Sequence, residues 1–223
     1  GTRPGSTSLP LPGYDVRVLD DQGTTVEPEK PGNLAVKLPL PPGAFSGLYN
    51  DNERFENYFN EFPGYYNTGD AGVIDKDGYV TVLERTDDVL NVAAHRLSSG
   101  QIEAVIKAHP SVNDAAVVGA ADAIKGQVPV AFVVLGEHEE KAGESRGAEV
   151  LKEIQAKVRA EVGPIATLRS CTIVPTLPKT RSGKVLRKNI RGLVDGKEVP
   201  VPGTIEDPKA IDIIKEAVAH IKP

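Results

Sequence analysis

The chain has 223 residues, of which 39% are hydrophobic and 26% charged, and its formal net charge is −5 at pH 7. This length can hold one or two domains with a buried core, and no apolar run approaches the roughly 20 residues that span a bilayer. The acidic balance argues against a general polyanion binder, whose surface is expected to be basic. A single cysteine excludes an internal disulfide, and the four histidines are too scattered to predict a zinc site.

The first part of the chain, residues 1–84, is predicted to be rich in β-strands and turns. Alternating polar and apolar residues predict strands at 15–20 and 33–38. The aromatic-rich stretch 52–62 predicts a short helix. Two alternating runs within 71–83 flank an Asp-Gly pair, which is a strong hairpin signal.

The remainder of the chain is predicted to form a compact α+β unit. Ser98, with a glutamine three residues later, predicts a helix that runs to about Lys107. Polar residues 137–147 predict a mobile loop. The other predicted elements are strands 114–119, 128–135 and 170–174, helix 150–162, and a final helix with the apolar stripe Ile211, Ile214, Val218 and Ile221.

A basic loop near the end of the chain stands out against this acidic background. Pro178 blocks a helix before the loop and Gly183 gives the backbone freedom, so we expect Lys184 between a mobile loop and a helix that begins near Val185. Such a place favours an anionic ligand, whereas a solvated basic turn or a nucleic-acid patch is the alternative. The loop's six basic residues, with no acidic residue among them, are Lys179, Arg181, Lys184, Arg187, Lys188 and Arg191.

Several motifs in the chain resemble those of one enzyme superfamily. Pro-Lys-Thr-Arg-Ser-Gly-Lys (178–184) resembles the C-terminal signature of the adenylate-forming acyl-CoA synthetases, which are related to luciferases and to the adenylation domains of peptide synthetases. Tyr-Asn-Thr-Gly-Asp (66–70) resembles the family's Tyr-x-Thr-Gly-Asp element, and residues 84–88 resemble its hinge. The match covers essentially the full chain, and its specific parts are the lysine loop and the run 85–92.

The resemblance implies roles for five residues at the nucleotide site and the hinge. Lys184 is expected to stabilise charge while a carboxylate attacks the α-phosphate of ATP. Asp70 is expected to accept hydrogen bonds from both ribose hydroxyls, since carboxylate oxygens are pure acceptors, and Thr68 belongs to the same element. Arg85 is expected to contact ribose or phosphate, and Asp87 to be the pivot of a rotating small domain. The alternative for the Thr-Gly-Asp motif is a simple turn before a strand, and the alternative for residues 84–88 is a surface run of charges.

The segment after the hinge resembles the part of the family that forms the tunnel for coenzyme A, which implies CoA contacts for Ala93, Ala94 and His95. Family members commonly carry glycine at Ala94, so its methyl group is expected to narrow the tunnel. Arg96 resembles an arginine near the nucleotide phosphates, with a buried structural ion pair as the alternative. Arg159 stands where acetyl-CoA-synthetase-like members contact CoA, and a solvent-facing helix arginine is its alternative.

The tail 203–208 resembles the short-chain branch, particularly propionate–CoA ligases. The resemblance implies an α+β fold in which 1–85 is the C-terminal, β-rich and barrel-like part of the large adenylation domain and 86–223 is the small, mobile lid domain. It implies AMP-forming ligation of a short-chain acid, propionate or acetate, to coenzyme A, with Mg²⁺ bound through ATP. Neither nucleic acid nor membrane is expected as a partner. The cytoplasm and the mitochondrial matrix both remain open as compartments.

In the family, the Ser/Thr/Gly-rich phosphate loop and the residues that select the acid precede the part that this chain resembles. We therefore expect the 223 residues alone to be inactive as a ligase. Two other classes of function remain open. One is a different adenylate-forming enzyme, either an aryl or medium-chain acyl-CoA ligase or a carrier-loading adenylation domain. The other is a non-catalytic module that binds through its basic loop. The acid preference and the oligomeric state are not determined by the sequence.

Overall fold

The computed structural model describes residues 3–44, 46–93, 95–136 and 144–221, apart from the Glu144 side chain. These residues form an α+β protein, as predicted, which divides into two compact units, Gly1–Asp87 and Asp88–Pro223. The strands are β1 (Val16–Leu19), β2 (Gly32–Lys37), β3 (Tyr65–Ile74), β4 (Val80–Arg85), β5 (Val89–Val92), β6 (His95–Ser98), β7 (Val112–Asp122), β8 (Gly126–Leu135) and β9 (Ser170–Ile173). The α-helices are α1 (Asn52–Asn60), α2 (Ser99–Lys107), α3 (Glu144–Glu161), α4 (Arg187–Val194) and α5 (Lys209–Ala219).

The first unit is built on an antiparallel sheet with the order β1-β2-β3-β4, and its strands and helix α1 confirm the predicted elements. The Asp75 carboxylate organises the β3–β4 turn, since its Oδ1 accepts the backbone N–H groups of Asp77 and Tyr79, each at 2.9 Å. Most of the buried core among the described residues lies in two small clusters: Val18, Leu34 and Val80, and Leu19, Ala35 and Phe62.

The second unit has a sheet with the order β6-β5-β8-β7, and β9 runs parallel to β8. Strands β7 and β8 form a long hairpin whose register runs from Val112 opposite Leu135 to Asp122 opposite Gly126. Both strands are longer than predicted, because backbone pairing continues to Asp122 and Gly126 at the turn and begins already at Val112.

Helices cover both faces of this second sheet, which explains why its central strands are continuously apolar. One face packs against α2 and α3, and the other against α4 and α5. Burial of each such aliphatic side chain is worth about 1.5–3 kcal/mol. The buried helix residues are Ile102, Ile106, Val150, Ile154 and Val158 on the first face, and Ile190, Leu193, Ile211 and Ile214 on the second.

Two predicted helix starts are wrong. Helix α3 begins at Glu144 instead of residue 150, within the segment predicted to be a loop; residues 137–143 of that segment lie outside the described residues. Helix α4 begins at Arg187 instead of near Val185. Before α4 the backbone is still paired in a ladder, because Val185 bridges Lys179 and the Leu186 N–H donates to the Pro178 carbonyl at 2.9 Å.

Candidate nucleotide and lysine sites

An irregularity in β3 shapes the Thr-Gly-Asp motif. Leu34 on β2 stands opposite Asp70, and Thr68 and Gly69 are left out of the β2–β3 register. The Thr68 hydroxyl fixes this bulge, since it donates to the Leu34 carbonyl at 2.8 Å and accepts the Asp70 N–H at 3.1 Å. Bulges commonly re-aim a side chain beside an active site. Here the Thr68 hydroxyl holds the backbone that presents Asp70.

Arg85 gathers the predicted nucleotide-binding residues of the first unit. It stands opposite Asp70 in the β3–β4 ladder, and its Nη1 lies 3.4 Å from Asp70 Oδ1. The same nitrogen donates to the Thr68 carbonyl at 3.4 Å, and Nε lies 3.3 Å from Asp87 Oδ1. Four of the predicted site residues therefore form one cluster: Thr68, Asp70, Arg85 and Asp87.

Gly69 makes this cluster sterically possible. Its φ of +73° lies in the left-handed region, which glycine adopts without the penalty of a Cβ. A Cβ at this position would lie 2.7 Å from Nη2 of Arg85, which is too close for two heavy atoms that are not bonded. The guanidinium therefore covers the backbone of the motif at a distance that only glycine permits.

The electrostatics of the cluster favour a charged arginine that a ligand can still reach. Partial burial acts against the charged form of Arg85, but the carboxylates of Asp87 and Asp70 together outweigh it and raise the pKa of the guanidinium. The side chains of Arg85 and Asp70 are 46% and 32% exposed. Pairs with such exposure contribute at most about 1 kcal/mol, so a polar ligand can replace this contact at little cost.

The lysine loop is a closed turn with Lys184 at its end. The Thr180 N–H donates to the Lys184 carbonyl and the Gly183 N–H to the Thr180 carbonyl, both at 2.8 Å. The Thr180 hydroxyl accepts the Lys184 N–H at 3.1 Å and is 2.9 Å from the Ser182 hydroxyl. Gly183 has φ +82°, which explains the glycine of the motif. The backbone is fixed, whereas the Lys184 side chain is exposed.

The basic run does not form a uniformly positive patch. Lys179 pairs with Asp114 at 2.5 Å, and Arg187 pairs with Glu103 at 2.6 Å. Within the described part of the chain, Lys184 has no ion pair. The structure thus separates the cations that hold the turn from the cation at its end, an arrangement more typical of a specific anion site than of a polyanion surface.

The segment predicted to face coenzyme A lies at the turn between β5 and β6. Ala93 has φ +47°, its N–H donates to the Lys125 carbonyl at 2.8 Å, and its carbonyl lies 3.0 Å from Nδ1 of His95. Ala94 lies outside the described residues. The effect of its methyl group on the tunnel therefore stays a prediction.

The two remaining predicted arginines are both exposed. Arg96 stands on β6 opposite Asn91 and is exposed among the described residues. Arg159 lies in the last turn of α3 and faces solvent. Contacts of these residues with phosphate or CoA stay predictions.

One residue that sequence reasoning missed is Glu103, which is only 2% exposed. It lies on α2 between Ile102 and Ile106, two inward positions of the predicted helix. An acidic residue next to an apolar stripe is a signal for a buried ion pair. The sequence alone does not identify its partner, which is Arg187, far away along the chain.

The described residues contain no group of three His, Cys, Asp or Glu side chains placed to hold a metal ion. Across the same residues, no helix has both the length and the apolar character needed to cross a membrane.

Comparison with known proteins finds one matching domain and several similar enzymes. Residues 101–184 match the AMP-binding enzyme C-terminal domain. Over 216 residues, or 96% of the chain, the sequence is 47% identical to acyl-CoA synthetase short-chain family member 3, mitochondrial, of Rattus norvegicus, of which it covers 31%. The chain therefore carries an AMP-binding enzyme C-terminal domain, and this relative, which matches nearly its whole length, is an acyl-CoA synthetase.

Two further proteins are similar to the chain, one in sequence and one in fold. The chain is 42% identical over 221 residues to the acetyl-coenzyme A synthetase of Pyrobaculum arsenaticum. The aligned region covers 99% of this chain and 32% of that protein. The fold matches the acetoacetyl-CoA synthetase of Streptomyces lividans with a TM-score of 0.78 at 24% identity, over 96% of this chain and 32% of that one. The chain thus spans about a third of the length of these relatives.

Proposed function

We propose that the chain acts as the C-terminal part of a short-chain acyl-CoA synthetase. The enzyme activates propionate or acetate with ATP to an acyl-adenylate and then transfers the acyl group to coenzyme A. The first unit is the β-rich end of the large adenylation domain, and the second is the lid, with the division near residues 85–88. One observation carries this proposal: the chain has both the Asp70–Arg85 cluster and the exposed Lys184. Its relatives include short-chain acyl-CoA synthetases.

The Asp70–Arg85 cluster has the chemistry of a ribose and phosphate site. Asp70 Oδ2 has no hydrogen bond among the described residues, and Oδ1 has only the 3.4 Å contact with Arg85. A carboxylate with open lone pairs can accept both hydroxyls of a ribose. Arg85 is then available for the ribose or a phosphate. Mg²⁺ enters as the complex with ATP.

Lys184 supplies positive charge in the first half-reaction. An oxygen of the carboxylic acid attacks the α-phosphorus of ATP, the bond to the bridging oxygen breaks, and pyrophosphate leaves. Negative charge is concentrated around the phosphorus during this step. An ammonium on a fixed turn stabilises that charge without reorganising the backbone.

The second half-reaction uses another face of the lid. The thiol of coenzyme A attacks the acyl carbon and AMP leaves, while the segment Ala93–His95 lines the approach of the thiol and Arg159 binds CoA. Rotation about Asp87 withdraws Lys184 and presents this segment. Using one domain for two half-reactions accounts for a hinge and a lysine turn in the same chain.

The test of this proposal is ATP–pyrophosphate exchange by the complete protein with acetate, propionate and butyrate. We expect exchange with a short-chain acid and a loss of about 10²–10³-fold in the Lys184→Ala variant, which is typical for removal of one group that stabilises charge in the transition state. The matched control is Lys188→Ala, another exposed lysine of the basic run, for which we expect a change of less than about threefold.

Two results would contradict the proposal. Exchange that survives Lys184→Ala removes the catalytic role of the lysine. Exchange that occurs only with aryl or longer acids, or only with a carrier protein as acceptor, assigns the chain to a different branch of the family.

A further inference from the structure

A buried carboxylate lies at the centre of an ion-pair network in the second unit. Glu103 on α2 is 2% exposed. Its Oε1 accepts the Val117 N–H at 2.9 Å and the Arg187 Nε–H at 2.8 Å, and its Oε2 accepts from Arg187 Nη2 at 2.6 Å. A buried charge is costly unless it is paired and hydrogen-bonded. The two-pronged contact therefore fixes Arg187 in both position and orientation.

Arg187 connects this carboxylate with two segments that matter for the proposed function. It is the first residue of α4 and lies three positions after Lys184. Its Nη1 lies 3.7 Å from Oδ2 of Asp88, the residue next to the proposed pivot Asp87. The hydrogen bonds that Arg187 donates to Glu103 are the main cause of the raised pKa of Arg187, and the charges of Asp88 and Asp114 add to it.

The other end of the lysine turn is also held by an ion pair. Lys179 Nζ lies 2.5 Å from Oδ2 of Asp114 on β7. The turn is thus fixed at Lys179 and at Arg187, and Lys184 lies between these two anchors. The two carboxylates belong to α2 and β7, which pack directly against each other in the core. The anchors consequently share a rigid base.

We propose that Glu103 is a positioning residue for Lys184. Through Arg187 it holds the C-terminal end of the lysine turn and joins that end to Asp88, so that the turn and the residue after the pivot move as one body. The kinetic part of this inference rests on the proposed function. The structural part, the anchoring of the turn, does not.

Two substitutions separate charge from geometry. Glu103→Gln keeps the size of the side chain and removes its charge, whereas Arg187→Lys keeps the charge and removes the two-pronged contact. We expect either change to loosen the turn and to lower kcat of ATP–pyrophosphate exchange by about 10–100-fold, since small displacements of a catalytic group have effects of this size. KM for ATP is expected to change less than threefold, because Asp70 and Arg85 hold the ribose in the proposed function.

The experiment measures amide hydrogen exchange of residues 179–187 and the two half-reactions, in the complete protein and both variants. The matched control is Arg169→Lys, which alters another arginine–carboxylate pair of the same unit, with Asp122 at 3.3 Å. We expect faster hydrogen exchange in the turn and lower kcat in the Glu103 and Arg187 variants only. Thioester formation from supplied acyl-adenylate is expected to retain most of its rate.

The outcomes distinguish this inference from the proposed function. If Lys184→Ala abolishes pyrophosphate exchange but both variants keep the wild-type kcat, the positioning role is refuted and the proposed function stands. If the wild type exchanges no pyrophosphate with any acid, the proposed function fails, while hydrogen exchange in the turn still tests the anchoring. A lower melting temperature with unchanged hydrogen exchange in the turn refutes the inference. Should Glu103→Gln fail to fold, Arg187→Lys provides the same test.

Discussion

At the scale of single residues, Gly69 makes the nucleotide cluster sensitive to one methyl group. Its φ is +73°, and an added Cβ would meet the guanidinium of Arg85 at 2.7 Å. We expect Gly69→Ala to displace Arg85 from Asp70 and to raise KM for ATP about tenfold, which corresponds to roughly 1.4 kcal/mol of lost binding. Initial-rate kinetics of the complete protein with varied ATP would measure the change.

Gly64 provides the control for this prediction. Its φ of +88° is similarly left-handed, but a Cβ there meets no atom within 4 Å. Gly64→Ala therefore carries the same kind of backbone strain, of about 1–2 kcal/mol, without the clash. Equal increases of KM in the two variants would attribute the effect to strain and refute the specific contact with Arg85.

Cys171 predicts a pH dependence of stability. Burial raises the pKa of its thiol to about 12 from an ordinary value of 9.0. Because the pKa in the folded state is raised, stability is fully present below pH 9 and is lost as the pH rises toward 12. The expected slope is up to about 1.4 kcal/mol per pH unit for one proton. Urea denaturation of the wild type and of Cys171→Ala, between pH 8 and pH 10.5, isolates this contribution as the difference between the two proteins.

Thiol chemistry gives an independent check on Cys171. A partly buried thiol with a raised pKa reacts slowly with disulfide reagents, since the thiolate is the nucleophile. We expect native protein at pH 8 to react at least about 100-fold more slowly than protein unfolded in urea. Rapid reaction under native conditions would show that the thiol is accessible. Because the predicted pH dependence of stability depends on burial of this thiol, that result would contradict it as well.

At the scale of elements, the sequence predicts what depends on side-chain periodicity and misses what depends on distant pairing. The β3–β4 hairpin follows from an Asp-Gly pair between alternating runs, and helix α2 from its Ser98 cap, whose hydroxyl accepts the Gln101 N–H at 3.1 Å. The start of α4 was misplaced because Val185 fits a helical pattern equally well. Only the pairing of Val185 with Lys179 keeps it out of the helix.

In the candidate site, too, local motifs could be predicted from the sequence, whereas contacts between distant residues could not. Lys184, Asp70 and Arg85 were found because short local motifs carry them, and the resemblance supplied the roles. Glu103 was missed because its ion-pair partner, Arg187, lies 84 positions later in the sequence. The bulge that presents Asp70 was missed as well, because it arises where Thr68 and Gly69 of β3 have no partner on β2. The residue spacing within one strand does not determine how that strand pairs with its neighbour.

At the scale of the whole molecule, the two units differ in the size of their cores. Among the described residues, the second unit buries apolar side chains on both faces of its sheet, under four helices. The first unit has two clusters of three buried residues each, and the rings of α1 pack on one another and on Tyr66 without becoming buried. Stability scales with the apolar area that folding removes from water, so the second unit is expected to be the more stable.

This difference predicts stepwise unfolding of the 223-residue chain studied by itself. We expect urea to unfold the first unit before the second, because few buried contacts oppose the chain entropy there. Hydrogen exchange is the suitable measurement, since it reports on each unit separately: amides of β2 and β3 should exchange at lower urea than those of β7 and β8. A single transition shared by all four strands would show that the units fold cooperatively.

The 223-residue chain by itself should form no acyl-CoA above background, because under the proposed function these residues supply only part of the active site. Thioester formation by the second unit after the first has unfolded would overturn that part of the proposal, since Asp70 and Arg85 would then be dispensable.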